Sequence, residues 1–427
     1  MELEATQLAA QNAPHQDTHK RAWGTLRQQL ESNGLDTEAL LRQLSELQIA
    51  IPSWALGAGG TRFGRFSYGG EPANLEQKIA DVGLLHALSR SAGSISLHIP
   101  WDIPEDPAAI RAQAVAHGIA FDAVNSNTFQ DQEGQAHSYK FGSLCHVEAA
   151  VREQAIAHNL EVIKIGEELG SKSITVWLAD GASFPGQHHF RSALERTQDS
   201  LQAIYRGMPD NWRMFIEYKP FEPNFYSTVI ADWGTSLMLA EGCGPNAYTL
   251  VDLGHHLPNT NIEQIVATLM MKGKLGGFHF NDSKYGDDDL TVGSIKPYQL
   301  FLIFNELVYG IAHNTANNPP LAWMIDASHN LKDPLEDLLQ SLEAIRIAYA
   351  QALLVDQEAL ADAQARQDVT EAQEILQDAF RTDVRPLVRE ARRQAGGALY
   401  PIHAYRKLGI RAKRIEQRGT HTVATGL

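Results

Sequence analysis

Along the chain, short apolar runs rich in β-branched residues alternate with longer segments whose apolar residues recur every three or four positions. The short runs are Ile49 to Trp54, Ile95 to Ile99, Ile119 to Val124, Ile174 to Leu178, Arg213 to Lys219, Tyr248 to Leu253, Leu275 to Phe280 and Ala322 to Ile325. Runs of this length predict buried strands, and the segments near 75–91, 106–117, 144–169, 189–206, 232–242, 261–272, 296–312 and 334–355 predict helices. Eight strand–helix units in about 300 residues predict a (β/α)8 TIM barrel of the α/β class. A doubly wound open sheet would instead carry a Gly-x-Gly-x-x-Gly turn after its first strand. Gly57-Ala58-Gly59-Gly60 resembles that turn only loosely and reads as a flexible connection. Before the first run, residues 19–48 carry a broken helical stripe of Leu26, Leu30, Leu40, Leu41, Leu44 and Leu47. Beyond residue 356 the pattern is helical without strands, interrupted at Gly396-Gly397. The predicted organisation is a helical segment over 1–48, a barrel domain over 49–355 and a helical arm over 356–427 embracing the barrel.

Composition narrows the class. A 427-residue chain that is 44% hydrophobic with seven Trp can bury a sizeable core. Its net charge of −15 disfavours nucleic acid and anionic membrane as partners, because both need neutralising Lys and Arg. Two cysteines, Cys145 and Cys243, make no disulfide framework. No stretch resembles a signal peptide or reaches bilayer-spanning length, so a soluble, cytoplasmic protein is expected. Between Arg381 and Arg418, eleven Lys or Arg face three Asp or Glu. That basic arm is expected to pack on the acidic body or on a neighbouring subunit.

Chemistry collects where the runs end. The stretch His279 to Asp289 leaves an apolar run and crowds one His and four Asp into eleven residues. Taken alone, Asp287 to Asp289 would read as a solvated acidic turn. They become ligand candidates because Glu217, Asp252, His255 and Asp326 also stand where other runs end, and a (β/α)8 barrel gathers such positions at its carboxyl face. Strand alternation puts Glu217 and Lys219 on one face and Tyr218 on the other, and likewise pairs His279 with Asn281. Glu217, Asp252, His279 and Asp326 could enclose one divalent cation, and His255 with Asp287 and Asp289 a second. Carboxylates with imidazole favour Mn²⁺, Co²⁺ or Mg²⁺ over a thiolate-seeking metal. At the same rim, Trp54, Trp101, Phe129 and Trp177 could wall a small polar substrate, as sugar-binding pockets require. No His-Glu-x-x-His, Cys-x-x-Cys or Gly-x-Ser-x-Gly occurs, which excludes zincin, structural-zinc and serine-hydrolase readings.

The segments Val251 to His256, Gly277 to Asp289, Ser96 to Trp101, Phe141 to Leu144 and Met324 to Asn330 together resemble L-rhamnose isomerase of the Pseudomonas subtype. The likeness spans most of residues 45 to 420. It implies a metal-dependent aldose–ketose isomerase, homotetrameric, holding two divalent cations per subunit. One would lie on Glu217, Asp252, His279 and Asp326, and the catalytic one on His255, Asp287 and Asp289. His98, Trp177, Lys219 and Ser328 would contact the sugar, Trp54 and Phe129 would line the pocket, and Phe63 would reach a neighbouring subunit's site. Tyr218 departs from the family, which carries His between the Glu and the Lys. The chemistry so implied moves one hydrogen between C1 and C2, by hydride shift when the carboxylates are committed to metal, or through an ene-diol when one is free to act as base. The alternative reading is a sugar epimerase on the same barrel with a single metal.

Overall fold

The computed structural model describes residues 3–57, 66–222, 226–314, 319–328 and 331–420. Eight parallel strands close on themselves: β1 (Ala50–Pro52), β2 (Ser94–Ile99), β3 (Ala120–Ser126), β4 (Ser173–Val176), β5 (Arg213–Glu217), β8 (Ala247–Asp252), β9 (Leu275–Phe280) and β10 (Ala322–Ile325). Their order around the barrel is β1-β10-β9-β8-β5-β4-β3-β2. Closure is made where Ala50 of β1 pairs with Met324 of β10. A two-stranded antiparallel ribbon, β6 (Phe221–Glu222) and β7 (Tyr226–Ser227), rises from the loop after β5. The alternating pattern did not predict it, because each arm is too short to show a period.

Helices α4 (Leu75–Ser89), α5 (Pro107–Ala116), α6 (Ala149–Leu169), α7 (Phe190–Gly207), α8 (Trp233–Cys243), α9 (Ile262–Met271), α10 (Pro297–His313) and α11 (Pro334–Ala352) follow the eight barrel strands in turn. Polar N-caps fix where several begin: Asp106, Asp232, Asn261 and Asp333 each accept a backbone N–H of the first turn. The core lies between the strands' outward side chains and these helices, with Ile216, Val251, Phe278, Phe280 and Ile325 buried there. The inward residues follow the two-residue alternation. A lower layer of Ala123, Phe215, Leu250 and Ala322 plugs the barrel. Gly276 leaves room for it, since a Cβ there would meet the Phe215 ring at 2.6 Å.

The N-terminal helical stripe is realised with different bounds. The structure has α1 (Ala5–Asn12), α2 (Gln16–Ser32) and α3 (Thr37–Glu46), not one run over 19–48. Gly34 at φ 82° breaks the path, and Asp36 caps α3 through the N–H groups of Glu38 and Ala39. Trp23, Leu26, Leu30, Leu40, Leu41 and Leu44 pack with Leu387, Val388 and Ala391 of α14 (Arg385–Gln394) in a second cluster. After α12 (Gln357–Ala365) and α13 (Val369–Arg381), the chain runs through α14, α15 (Pro401–Lys407) and α16 (Ile410–Arg418). Their basic residues find acidic partners on the body: Arg406 meets Glu336, Arg411 meets Asp333, and Arg414 and Arg418 meet Asp81. The fit is close, since a Cβ on Gly70 would lie 2.6 Å from the Arg414 backbone. Among the described residues, no single helix is long and apolar enough to cross a membrane.

Candidate metal centre

The strand ends bring Glu217 (β5), Asp252 (β8), His279 (β9) and Asp326 (after β10) together, one ligand atom from each lying within 4.8 Å of the others. Alternation explains the meeting: Ile216, Val251, Phe278 and Ile325 point outward into the core, so their neighbours point into the barrel mouth. His279 Nδ1 is 3.1 Å from Glu217 Oε1, 3.6 Å from Asp326 Oδ2 and 3.8 Å from Asp252 Oδ2. Two of the carboxylates are also held from outside. Asp252 Oδ1 accepts from Gly254 N–H at 2.7 Å and Asn281 Nδ2–H at 2.9 Å, and Asp326 Oδ1 accepts from the Trp54 indole at 2.9 Å.

A second group, Asp252, His255 and Asp287, adjoins the first. His255 Nδ1 donates to the Tyr218 carbonyl at 3.0 Å, which turns Nε2 toward Asp287 Oδ1 at 3.2 Å. Asp287 Oδ2 is 2.5 Å from Lys219 Nζ, which also reaches Glu222 Oε2 on the ribbon at 2.7 Å. The loop that delivers Asp287 is built by its neighbour. Asp288 accepts the N–H groups of Lys284, Tyr285 and Gly286, and Asp287 and Asp289 take φ of 50° and 49°, a conformation that Asp tolerates better than most side chains. The compact second group thus contains Asp252, which spacing placed in the first alone. Asp289 is buried, its carbonyl accepting Ser328 N–H at 2.9 Å, but it is not among the residues whose ligand atoms cluster. Two-residue alternation cannot resolve this, because both aspartates lie in a loop.

Electrostatics mark the site. Burial, partly opposed by His279, pushes Asp326 up to about 7, and burial opposed by His255 raises Asp252. Burial would raise Glu217 too, but His279 and His255 outweigh it and lower that carboxyl. Burial alone would depress both imidazoles. Asp252 and Asp287 nevertheless raise His255 to about 9, and Glu217 and Asp326 do the same for His279. So dense a set of acidic groups, buried except for a partly exposed Asp326, suits a cation. Asp252 Oδ2 is buried with no hydrogen-bond partner among the described residues, and three carboxylates with one imidazole fit a hard or borderline divalent ion.

A family model described as xylose isomerase-like TIM barrel matches residues 88–308. The chain belongs to that family. A probable sugar isomerase from Rhizobium meliloti (strain 1021) is 52% identical over 411 residues, covering 96% of this chain and 95% of the relative. A second probable sugar isomerase, from Mesorhizobium japonicum (strain LMG 29417 / CECT 9101 / MAFF 303099), is 47% identical over 424 residues, covering 99% and 98%. A solved L-ribulose 3-epimerase aligns over 75% of this chain and 98% of its own at 14% identity and a TM-score of 0.47. A superposition that loose does not bear on chemistry.

Around the mouth of this xylose isomerase-like barrel, aromatic rings run from the first group toward Lys219. Trp54 meets His98 at 5.4 Å, His98 meets Trp101 at 4.3 Å and Phe129 at 5.4 Å, and Phe129 meets Trp177 at 4.9 Å. Lys219 Nζ stands 5.3 Å from the Trp177 ring. Burial pushes His98 down to about 3, so its ring is neutral. The candidate pocket residues Trp54, His98, Phe129, Trp177 and Lys219 therefore share one rim, and Ser328, buried just after β10, donates its N–H to the Asp289 carbonyl. Phe63 falls outside the described residues. Two supporting groups escaped the sequence reading, the Tyr218 carbonyl behind His255 and Glu222 beside Lys219, as did the contact of Asn281 with Asp252. Asn281 was legible as the residue sharing the His279 face; Glu222 left no signal, because the ribbon that carries it was not foreseen.

Proposed function

We propose that this protein is a cytoplasmic, divalent-cation-dependent aldose–ketose isomerase interconverting L-rhamnose and L-rhamnulose, and related pairs such as D-allose and D-psicose. The observation that carries the reading is the pair of adjoining ligand groups that share Asp252 beside an aromatic-walled mouth. The family, and relatives described as sugar isomerases, supply the reaction class. The rhamnose assignment rests on the sequence segments named above. Mn²⁺ suits the donor set, with Co²⁺ or Mg²⁺ as substitutes.

When bound, the two cations would supply Lewis-acid polarisation of a carbonyl and of its neighbouring hydroxyl. The chain's own residues do the rest. The aromatic wall excludes water and offers ring faces to sugar C–H groups. Lys219 holds Asp287 in place and presents a cationic donor to the substrate. The carboxylates are engaged already: Glu217 with His279, Asp252 with Asn281, Asp287 with Lys219 and Asp326 with Trp54. With these carboxylates committed to the cations, a hydride shift between C2 and C1 of the sugar would be favoured over abstraction of the carbon-bound proton by a carboxylate base.

An isomerisation assay across aldoses with Mn²⁺, before and after chelation, tests the activity. Sugar deuterated at C2 should keep its label at C1 in ordinary water, and washout to solvent would instead favour an ene-diol. One observation favours a second reading, a one-metal epimerase: Lys219 already neutralises Asp287 in the second group. Bound metal per chain separates the two, since a value near two supports the isomerase and a value near one the epimerase.

A further inference from the structure

Charged groups are sealed inside this molecule away from the strand-end ligands as well. Lys78 on α4 and Asp102 in the turn after β2 are 1% and 2% exposed, and Lys78 Nζ lies 2.6 Å from Asp102 Oδ1. A buried pair of this kind is seldom more stabilising than two well-packed apolar side chains, so its presence asks for a reason beyond stability. The other carboxylate oxygen supplies one. Asp102 Oδ2 accepts from Ser53 Oγ at 2.5 Å and from His98 N–H at 2.8 Å, while Asp102 N–H donates back to the His98 carbonyl at 3.0 Å. One side chain thus ties α4 to the turn after β1 and to the end of β2.

The turn after β1 and the end of β2 each carry a pocket residue. Ser53 opens the 3-10 turn Ser53–Leu56, whose next residue, Trp54, donates its indole N–H to Asp326 Oδ1. His98 packs edge-on against Trp54 and face-tilted on Trp101. We propose that Lys78 and Asp102 form a positioning pair that fixes Trp54 and His98 and, through the Trp54 indole, sets the carboxylate of Asp326 within the cation group. This inference rests on the reading of Glu217, Asp252, His279 and Asp326 as a cation site, and is independent of which sugar is turned over.

The test uses the full chain and Mn²⁺ alone as probe. Lys78→Met with Asp102→Leu removes both charges together, so no lone buried charge is left behind, and circular dichroism is expected to report a retained fold. Calorimetric titration should then show Mn²⁺ affinity lowered by about 10- to 100-fold, the range typical when a group orienting a ligand is lost. The visible spectrum of bound Co²⁺ should change with it, and with sugar KM should rise more than kcat falls. A folded double variant with wild-type Mn²⁺ affinity and an unaltered Co²⁺ spectrum overturns the positioning role. Should the double variant fail to fold, Ser53→Ala decides: weakened Mn²⁺ binding supports the pair's role, and unchanged binding overturns it. Absence of Mn²⁺ binding by the unaltered chain would mean that the metal-centre reading itself fails. Binding that survives in every variant would sink this inference alone.

Discussion

At the scale of single residues, the site is held by groups that do not touch its centre. Asn281 is buried and donates to Asp252 Oδ1, the carboxylate that both ligand groups share. Replacing it with Leu keeps the bulk but leaves that oxygen only Gly254 N–H. Asn281→Leu is therefore expected to weaken Mn²⁺ binding by about 10- to 100-fold, read by titration calorimetry; unchanged affinity would refute the role given to Asn281. Trp54 was legible in the sequence as a pocket wall. That its indole also orients Asp326 was not, because a side-chain hydrogen bond between residues 272 positions apart leaves no trace in local pattern. The same limit explains Asp252, whose membership of the second group depends on where the loop after β9 folds back.

Elements decide how those residues are presented. The loop from Lys284 to Asp289 has no regular structure, and Asp288 holds it by accepting three backbone N–H groups. Asp288→Ala frees those donors and lets Asp287 swing from His255. Bound Mn²⁺ per chain is then expected to fall from two toward one while the group on the rigid strand ends persists, measurable by metal analysis after gel filtration. A loss of both ions would contradict the division into a strand-borne and a loop-borne group. Away from the site, α14 is tied to α2 through Glu390, which takes Arg393, His19 and Gln394. Those contacts, with Arg393 the largest and burial opposing, lower its carboxyl to about 2 from 4.5. A depressed carboxyl stabilises the fold above its unfolded value and loses that contribution as pH falls between the two values. Glu390→Gln should accordingly lower Tm at neutral pH and flatten its decline between pH 4.5 and pH 2, checked by thermal melts across that window.

For the whole molecule, the proposed cation binding would be coupled to folding, because the candidate ligands come from β5, β8, β9 and the loop after β10, which meet only in the closed barrel. Mn²⁺ at 100 times its Kd is expected to stabilise the chain by about 2.7 kcal/mol per site, seen as a raised Tm that a chelator reverses; Asp252→Asn should abolish most of that shift. A Tm insensitive to Mn²⁺ in the unaltered protein would argue against any resident ion. By itself, the sequence determined the eight strands, their order and the face on which Glu217, Asp252, His279 and Asp326 stand, because hydrophobic alternation is a local property and the barrel follows from repeating it. It also led to the expectation that the basic stretch after residue 381 packs on acidic groups of the body or of a neighbouring subunit. Only the tertiary structure decided which acids those are, that Asp252 belongs to both groups, that Asp288 builds the loop while Asp287 faces inward, and that Lys78 and Asp102 lie beneath the aromatic wall. Each of these depends on contacts between segments far apart in the chain, and the energy of such contacts is set by geometry that a run of residue types does not contain.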